Sequence, residues 1–305
     1  MKSLGPGRGA ASLFSFAAFA ATLLILGGAA PARAATQAEL DVFVAGLGAR
    51  VDLSHVHLSI VDLKDPARPV RAGWRDRDYA KAASIIKLAL LAGAYQAAQE
   101  DGLSFDRKVV VERRNWTGTW APPGDPDPPL QVGAAWTVGK LVEVMVRRSD
   151  NVATNTLIDV LRRERVTRFV RSLGCPDTLV RHKLSSGNTV DDPEATGGNL
   201  MLPRDAATLL MRIAREDLLG AEPSRRMLAT LRGQLDRDLI AAGIGPDAEY
   251  AGKTGELSDA RNDAAIVKGP DRHYVLVVYA SLPDGPAQPL IRKIAREVDG
   301  FFAAH

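Results

Sequence analysis

The sequence predicts an α/β fold, an antiparallel sheet built from both chain ends and flanked by helices, with an all-helical subdomain inserted in the middle. Three observations carry this expectation. Strand-like segments occur near residues 56–74 and return only after residue 260, the stretch between them has helical periodicity, and an amphipathic helix closes the chain.

Thr36 to Leu47 reads as a helix, and Val56-His-Leu-Ser-Ile60 alternates like a half-buried strand with Pro69 to Trp74 as its partner. The helical block comprises Ser84 to Gln99, Val138 to Arg147, Ala153 to Leu161, Val166 to Leu173 and Arg204 to Arg215. Ala153, Leu157 and Leu161 recur every fourth residue, which is the stripe of a core-facing helix. Late strands are expected at Ala264 to Val267 and at Tyr274 to Ala280. The unbroken apolar run of the second marks a central strand. Leu290, Ile294, Val298 and Phe301 give the last helix its apolar face.

The N-terminus has the pattern of a secretory leader, with Lys2 and Arg8, an apolar stretch from Leu13 to Leu26, and the small-residue site Ala32-Arg33-Ala34. Cleavage is expected before Ala35, so the protein is expected to be exported, periplasmic or secreted. No later apolar run is long enough to span a membrane. The formal net charge of +3 belongs to Lys2, Arg8 and Arg33 of the leader; without them the basic residues match the 36 acidic ones. That balance excludes a nucleic-acid footprint. Cys175 is the only cysteine, so it has no intramolecular disulfide partner and reads as a small buried apolar residue. His55 and His57 share a strand face but have no third ligand, so neither metal nor cofactor is expected. A monomer is expected.

The chemistry lies in three short motifs, Ser84-Ile-Ile-Lys87, Ser149-Asp150-Asn151 and Lys253-Thr254-Gly255. A serine hydroxyl is a weak nucleophile until a base takes its proton, and an amine one helical turn away is within reach. To act as that base the lysine must be neutral part of the time, which burial or a second cation promotes. At a first helical turn, Ser84 also aims free backbone N–H groups at an attacked carbonyl. Taken singly the motifs have ordinary readings: an N-cap beside a solvated lysine, capping by Asp150 and Asn151 between two helices, and a lysine guarding an edge strand. Gly255 on such a strand permits close approach of a ligand backbone.

As a set, with the flanks Ala82-Ala-Ser-Ile-Ile-Lys-Leu88, Ser149-Asp-Asn-Val-Ala-Thr-Asn155 and Asn262-Asp-Ala-Ala-Ile-Val267, the motifs resemble the class A β-lactamase family and related penicillin-recognising serine hydrolases. The resemblance runs from about His55 to the C-terminus. It implies a nucleophile at Ser84, a base at Lys87, a proton shuttle at Ser149, and substrate contacts at Asn151, Lys253 and Thr254, with Gly255 beside them. The N–H groups of Ser84 and Glu256 would form an oxyanion hole. Residues 35–305 would be one catalytic domain, with an α/β lobe over about 35–80 and 218–305 and a helical lobe over about 81–217.

One departure stands out. Class A members carry Glu-x-x-x-Asn in the loop after the Ser-Asp-Asn helices, and that glutamate activates the water that releases the acyl group. Here Arg181-His-Lys-Leu-Ser-Ser-Gly-Asn188 contains no glutamate; Asp191, Asp192 and Glu194 follow without matching spacing. The substrate is expected to be a β-lactam or a peptidoglycan-derived peptide. Three readings stand: a β-lactamase, a D-Ala-D-Ala peptidase or esterase with slow release, and a noncatalytic binder of β-lactams or muropeptides. Ser186-Gly-Asn188 also fits a looser second motif, and Trp116 or Trp120 is a candidate cleft wall.

Overall fold

The computed structural model describes residues 33–118, 121–122, 124–184 and 198–305. Most of the leader, and Trp120, Ser186, Asn188, Asp191, Asp192 and Glu194, lie outside the described residues.

The first helix, α1 (Gln37–Leu47), starts at Thr36. The Thr36 side chain accepts from the Glu39 N–H while the Glu39 carboxylate accepts from the Thr36 N–H, a reciprocal cap. The strands β1 (Val56–Asp62), β2 (Val70–Trp74), β5 (Glu249–Leu257), β6 (Ala260–Lys268) and β7 (His273–Ala280) form one sheet in the order β2-β1-β7-β6-β5. Every neighbouring pair is antiparallel. The sheet is thus assembled from both chain ends, and β7 lies at its centre, as its apolar run predicts.

β1 departs from the half-buried expectation, since all of its residues are buried. The reason is that both faces of the sheet are covered. Leu58, Ile60, Tyr250, Val267, Leu276 and Val278 pack on one side with α1 and the last helix, α8 (Asp284–Ala303). On the other side Val61, Ala264, Ile266, Val275, Val277 and Tyr279 join the core of the helical block.

That block contains α2 (Lys87–Asp101), α3 (Val138–Arg147), α4 (Asn151–Leu161), α5 (Arg163–Ser172) and α6 (Pro203–Ala214). α2 is buried along most of its length because it runs through the middle of the block. Sequence periodicity does not show α7 (Ala221–Arg232), whose Arg-rich surface masks a narrow buried stripe of Ser224, Met227 and Leu231. Nor does it show the small pair β3 (Lys108–Val110) and β4 (Ala135–Thr137), too short to carry a period. β5 and β6 are longer than their apolar runs suggest, and only Ser258 and Asp259 separate them. The turn between them is therefore tight, and Arg261 and Asn262 lie in a strand. Cys175 is buried, its Sγ 3.4 Å from the Asp205 carbonyl, and burial pushes its thiol up to about 12.

Candidate active site

The turn bearing Ser84 is anchored from two sides. Ala83–Ile86 is a 3-10 turn that leads directly into α2, and Ala83 just before the serine has a φ of +50°, a left-handed conformation unusual for alanine. Asn262 on β6 donates its amide to the carbonyls of Lys81 (2.7 Å) and Ala82 (3.1 Å). Gly255 on β5 comes close on the same side: a Cβ there would lie 3.1 Å from Ala82 O, Ala83 Cβ and Ser84 N. A side chain here would crowd the serine backbone, which would have to give by a few tenths of an ångström; glycine lets the strand edge pass this close.

Ser149 occupies the junction between α3 and α4. Its φ is +59°, and the Asp150 carboxylate that follows caps α4 by accepting from the Ala153 N–H at 2.9 Å. The capping expected of Asp150 is present. A non-glycine residue held in this region stores about 1 kcal/mol or more of strain, so the surroundings must over-determine it. They do. Arg148, with no exposed side-chain surface, donates to Asp127 O (2.8 Å) and Pro128 O (3.1 Å) and pairs with Asp150 (3.3 Å). Arg147 pairs with Asp125 and Asp127, each at 2.7 Å.

Two lysines meet at Ser149. Lys87 donates to Ser149 O (2.7 Å), Ser149 Oγ (3.0 Å) and Asn151 Oδ1 (2.7 Å). Those three bonds use all three ammonium protons. Lys253 donates to the same Ser149 Oγ at 3.0 Å and to Thr254 O at 2.7 Å. Neither lysine has exposed surface. Burial pushes the Lys87 amine well below its ordinary value, the Lys253 charge adds to the fall, and Asp150 opposes it. Burial likewise lowers Lys253 to about 7, with Asp236 and Asp263 opposing and Arg261 adding. With two ammonium groups donating to its oxygen, the Ser149 hydroxyl must send its own proton elsewhere.

Around this point the sequence motifs converge. Ser84, Ser149, Asn151, Thr254, Gly255 and Glu256 line one cleft of about 510 Å³, with Lys87 and Lys253 bonded to its wall. Among the described residues the bonds of Lys87 run to Ser149 and Asn151, so the Ser84 to Lys87 contact expected from their spacing is replaced by that grip. Arg261, which the motifs do not flag, lines the same cleft and pairs with Asp236 (2.7 Å) and Glu256 (2.8 Å). Trp116 is not a wall of this cleft: it carries Arg113 over its ring at 5.2 Å.

A second hollow of about 440 Å³ opens on the other side of Ser84, lined by Tyr79, Lys81, Leu184, Asn199, Leu257 and Asp259 among others. Leu184 is fixed by the Asn155 side-chain amide, which accepts its N–H at 2.7 Å and donates to its carbonyl at 3.0 Å. Asn199 holds the preceding residues, accepting from the N–H groups of Arg181 (2.7 Å) and His182 (3.0 Å). Leu184 stands four residues before Asn188 in the sequence, the spacing of Glu-x-x-x-Asn with a leucine at its first position. The four-residue step from Leu184 to Asn188 is a signal in the sequence that the search for an acid passes over; the Asn155 bonds then hold Leu184 at the hollow. Among the described residues no group of three or more His, Cys, Asp or Glu side chains is placed to hold a metal ion.

This fold and its motifs have counterparts in known proteins. The family described as "Beta-lactamase enzyme family" matches residues 44–302. Among curated relatives, Beta-lactamase 1 of Streptomyces cacaoi is 28% identical over 167 residues, and Beta-lactamase of Streptomyces fradiae is 26% identical over 219. The match covers 53% of this chain and 51% of the S. cacaoi protein, and 68% and 69% for S. fradiae; the chain thus spans about half the length of the former. Among solved structures, PBP-A superposes with a TM-score of 0.73 at 23% identity, covering 90% of this chain and 99% of that one. A mutant of PBP-A, solved as an acyl-enzyme complex with penicillin G, superposes with a TM-score of 0.72, also at 23% identity, covering 90% of this chain and 100% of that one.

Proposed function

We propose, for a chain that belongs to the beta-lactamase enzyme family, that it is an exported serine hydrolase of class A-like type whose Ser84 is acylated by β-lactams. The observation that carries the reading is the single Ser149 hydroxyl shared by Lys87 and Lys253 at the wall of the cleft that Ser84 lines.

The steps follow from the atoms present. Lys87 in its neutral form no longer needs all three of its bonds to Ser149 and Asn151, and turns toward Ser84 to accept its proton; burial and the neighbouring ammonium keep that form accessible. The Ser84 oxygen attacks the ring carbonyl, and the developing oxyanion is held by the N–H of Ser84, at a first helical turn, and the N–H of Glu256, on edge strand β5. Ser149, its oxygen saturated by two donors, gives its proton to the departing ring nitrogen and is reprotonated through Lys87. Lys253 uses two of its three donors within the protein, which leaves one for a substrate carboxylate beside Thr254. The Asn151 amide, anchored by Lys87, holds the amide of the acyl side.

The second reading is a penicillin-binding peptidase or esterase that releases its acyl group slowly. Leu184 favours it, because an apolar side chain where the family pattern places a carboxylate cannot take a proton from water. Incubation of the purified protein with benzylpenicillin, followed by intact mass and by product over time, tests both. An adduct on Ser84 with rapid turnover gives the β-lactamase, a long-lived adduct gives the peptidase-like enzyme, and a folded protein with no adduct removes both.

A further inference from the structure

Among the described residues the acceptors that hold Lys87 are all uncharged: a carbonyl, a hydroxyl and an amide oxygen, from Ser149 and Asn151. Asp150 stands between those two residues, yet its carboxylate is engaged elsewhere. Its Oδ1 accepts from the Ala153 N–H at 2.9 Å, and its Oδ2 pairs with the Arg148 guanidinium at 3.3 Å. The helix cap occupies one oxygen, and the arginine is what occupies the other.

Arg148 is itself fixed. It donates to the carbonyls of Asp127 and Pro128, and its second carboxylate partner is Asp125 at 3.5 Å. The side chains of Arg148 and Asp150 are 0% and 3% exposed, so water does not screen the pair, and the guanidinium keeps its charge at any working pH. Arg148 lines the cleft, but its side chain has no exposed surface, so it acts through Asp150 and not on substrate. The charged groups that act on Lys87 are Lys253, from β5, and Asp150, from the junction of α3 and α4. They pull in opposite directions: the second ammonium favours the neutral amine, and the carboxylate favours the charged one.

We propose that Arg148 is a positioning residue for acylation: it holds the Asp150 carboxylate away from Lys87, so that the lysine serves Ser84 as a base instead of pairing with the acid. This rests on acylation at Ser84 with Lys87 as its base. Without the guanidinium the freed oxygen would hold the lysine as an ammonium, and the neutral form would be reached only at higher pH.

The test is the rate of Ser84 adduct formation with benzylpenicillin, followed by intact mass from about pH 4 to about pH 9 in the full protein. In Arg148→Met the acid limb should move up by about a unit, which reads as about tenfold slower adduct formation at the acid end and far less change on the plateau. Arg148→Lys, which keeps a cation beside Asp150, should return the limb toward the parental position. Asp150→Asn keeps a side-chain oxygen for the α4 cap and removes the charge, so its limb should move down. The last variant moves the limb in the opposite direction and does not depend on the arginine variants folding. A uniform loss of rate in Arg148→Met with the limb in place would make the arginine merely structural and overturn the proposal. So would an acid limb that Asp150→Asn leaves unmoved or raises. No adduct in the folded parent overturns the acylation reading itself, a result distinct from a limb that fails to move.

Discussion

The two walls that meet at Ser84 are built differently. On the Ser149 side, the backbone is held in a left-handed conformation by Lys87, Arg148 and Asp150, each bonded to its neighbours. On the Leu184 side, one asparagine fixes the backbone and the side chain offered to the cleft is apolar. On the proposed function, the first wall supplies the acylation step and the second, with Leu184 there, offers no carboxylate for release. Acylation and release would then be carried by separate pieces of the structure.

The largest effect is expected from the nucleophile. Ser84→Ala removes the oxygen placed to attack, and intact mass after incubation with benzylpenicillin should show no adduct, with any turnover falling by about 10³-fold or more. Lys87→Ala comes next. The Ser84 oxygen stays, but its base and the clamp on Ser149 both go, so adduct formation should slow by about 10²- to 10⁴-fold. A persistent adduct formed at the parental rate in Lys87→Ala would break the comparison, since the first wall would then be dispensable.

The second wall is sharpened by Leu184→Glu. A carboxylate at this position, with the Asn155 bonds to its backbone intact, should shorten the lifetime of the benzylpenicillin adduct by about 10²-fold or more, while adduct formation changes far less. If the adduct outlives that of the parent, the release function does not belong to this wall.

The fold is legible in the sequence where periodicity is long or the apolar run unbroken, as in α3 and β7. The site is legible as a set of residue types, because its three motifs are short strings that can be read without knowing the rest of the fold. What those residues bond is not. That Lys87 turns toward Ser149 and Asn151 depends on where α4 sits relative to α2, a packing outcome with no local signature. Arg147 and Arg148 belong to none of the motifs, and the carboxylate partners of Arg147 stand 22 and 20 residues earlier in a Pro-rich loop, too far for a helical spacing rule to find them. Leu184 is passed over for another reason: a search for an acid skips the leucine four residues before Asn188, and that this leucine lines the second hollow, its backbone held by Asn155, is known only from the structure.

The pH dependence of acylation tests the shared hydroxyl with a smaller effect. Lys87 must be neutral to accept a proton, so the rate rises with pH through its lowered value. Lys253 must be charged to hold a substrate carboxylate, so binding is present below about 7 and lost as pH rises through it. The product is a bell with its alkaline limb set by Lys253. Lys253→Arg keeps the cation throughout this range, so the alkaline limb should move up by about a unit or more while the acid limb stays in place. Rates of adduct formation measured from about pH 5 to about pH 9 read this directly. Because the two ammonium groups share one oxygen, a shift of the acid limb in the same variant would mean that the lysines titrate as one coupled pair, and that the proton on Ser149 is controlled by both.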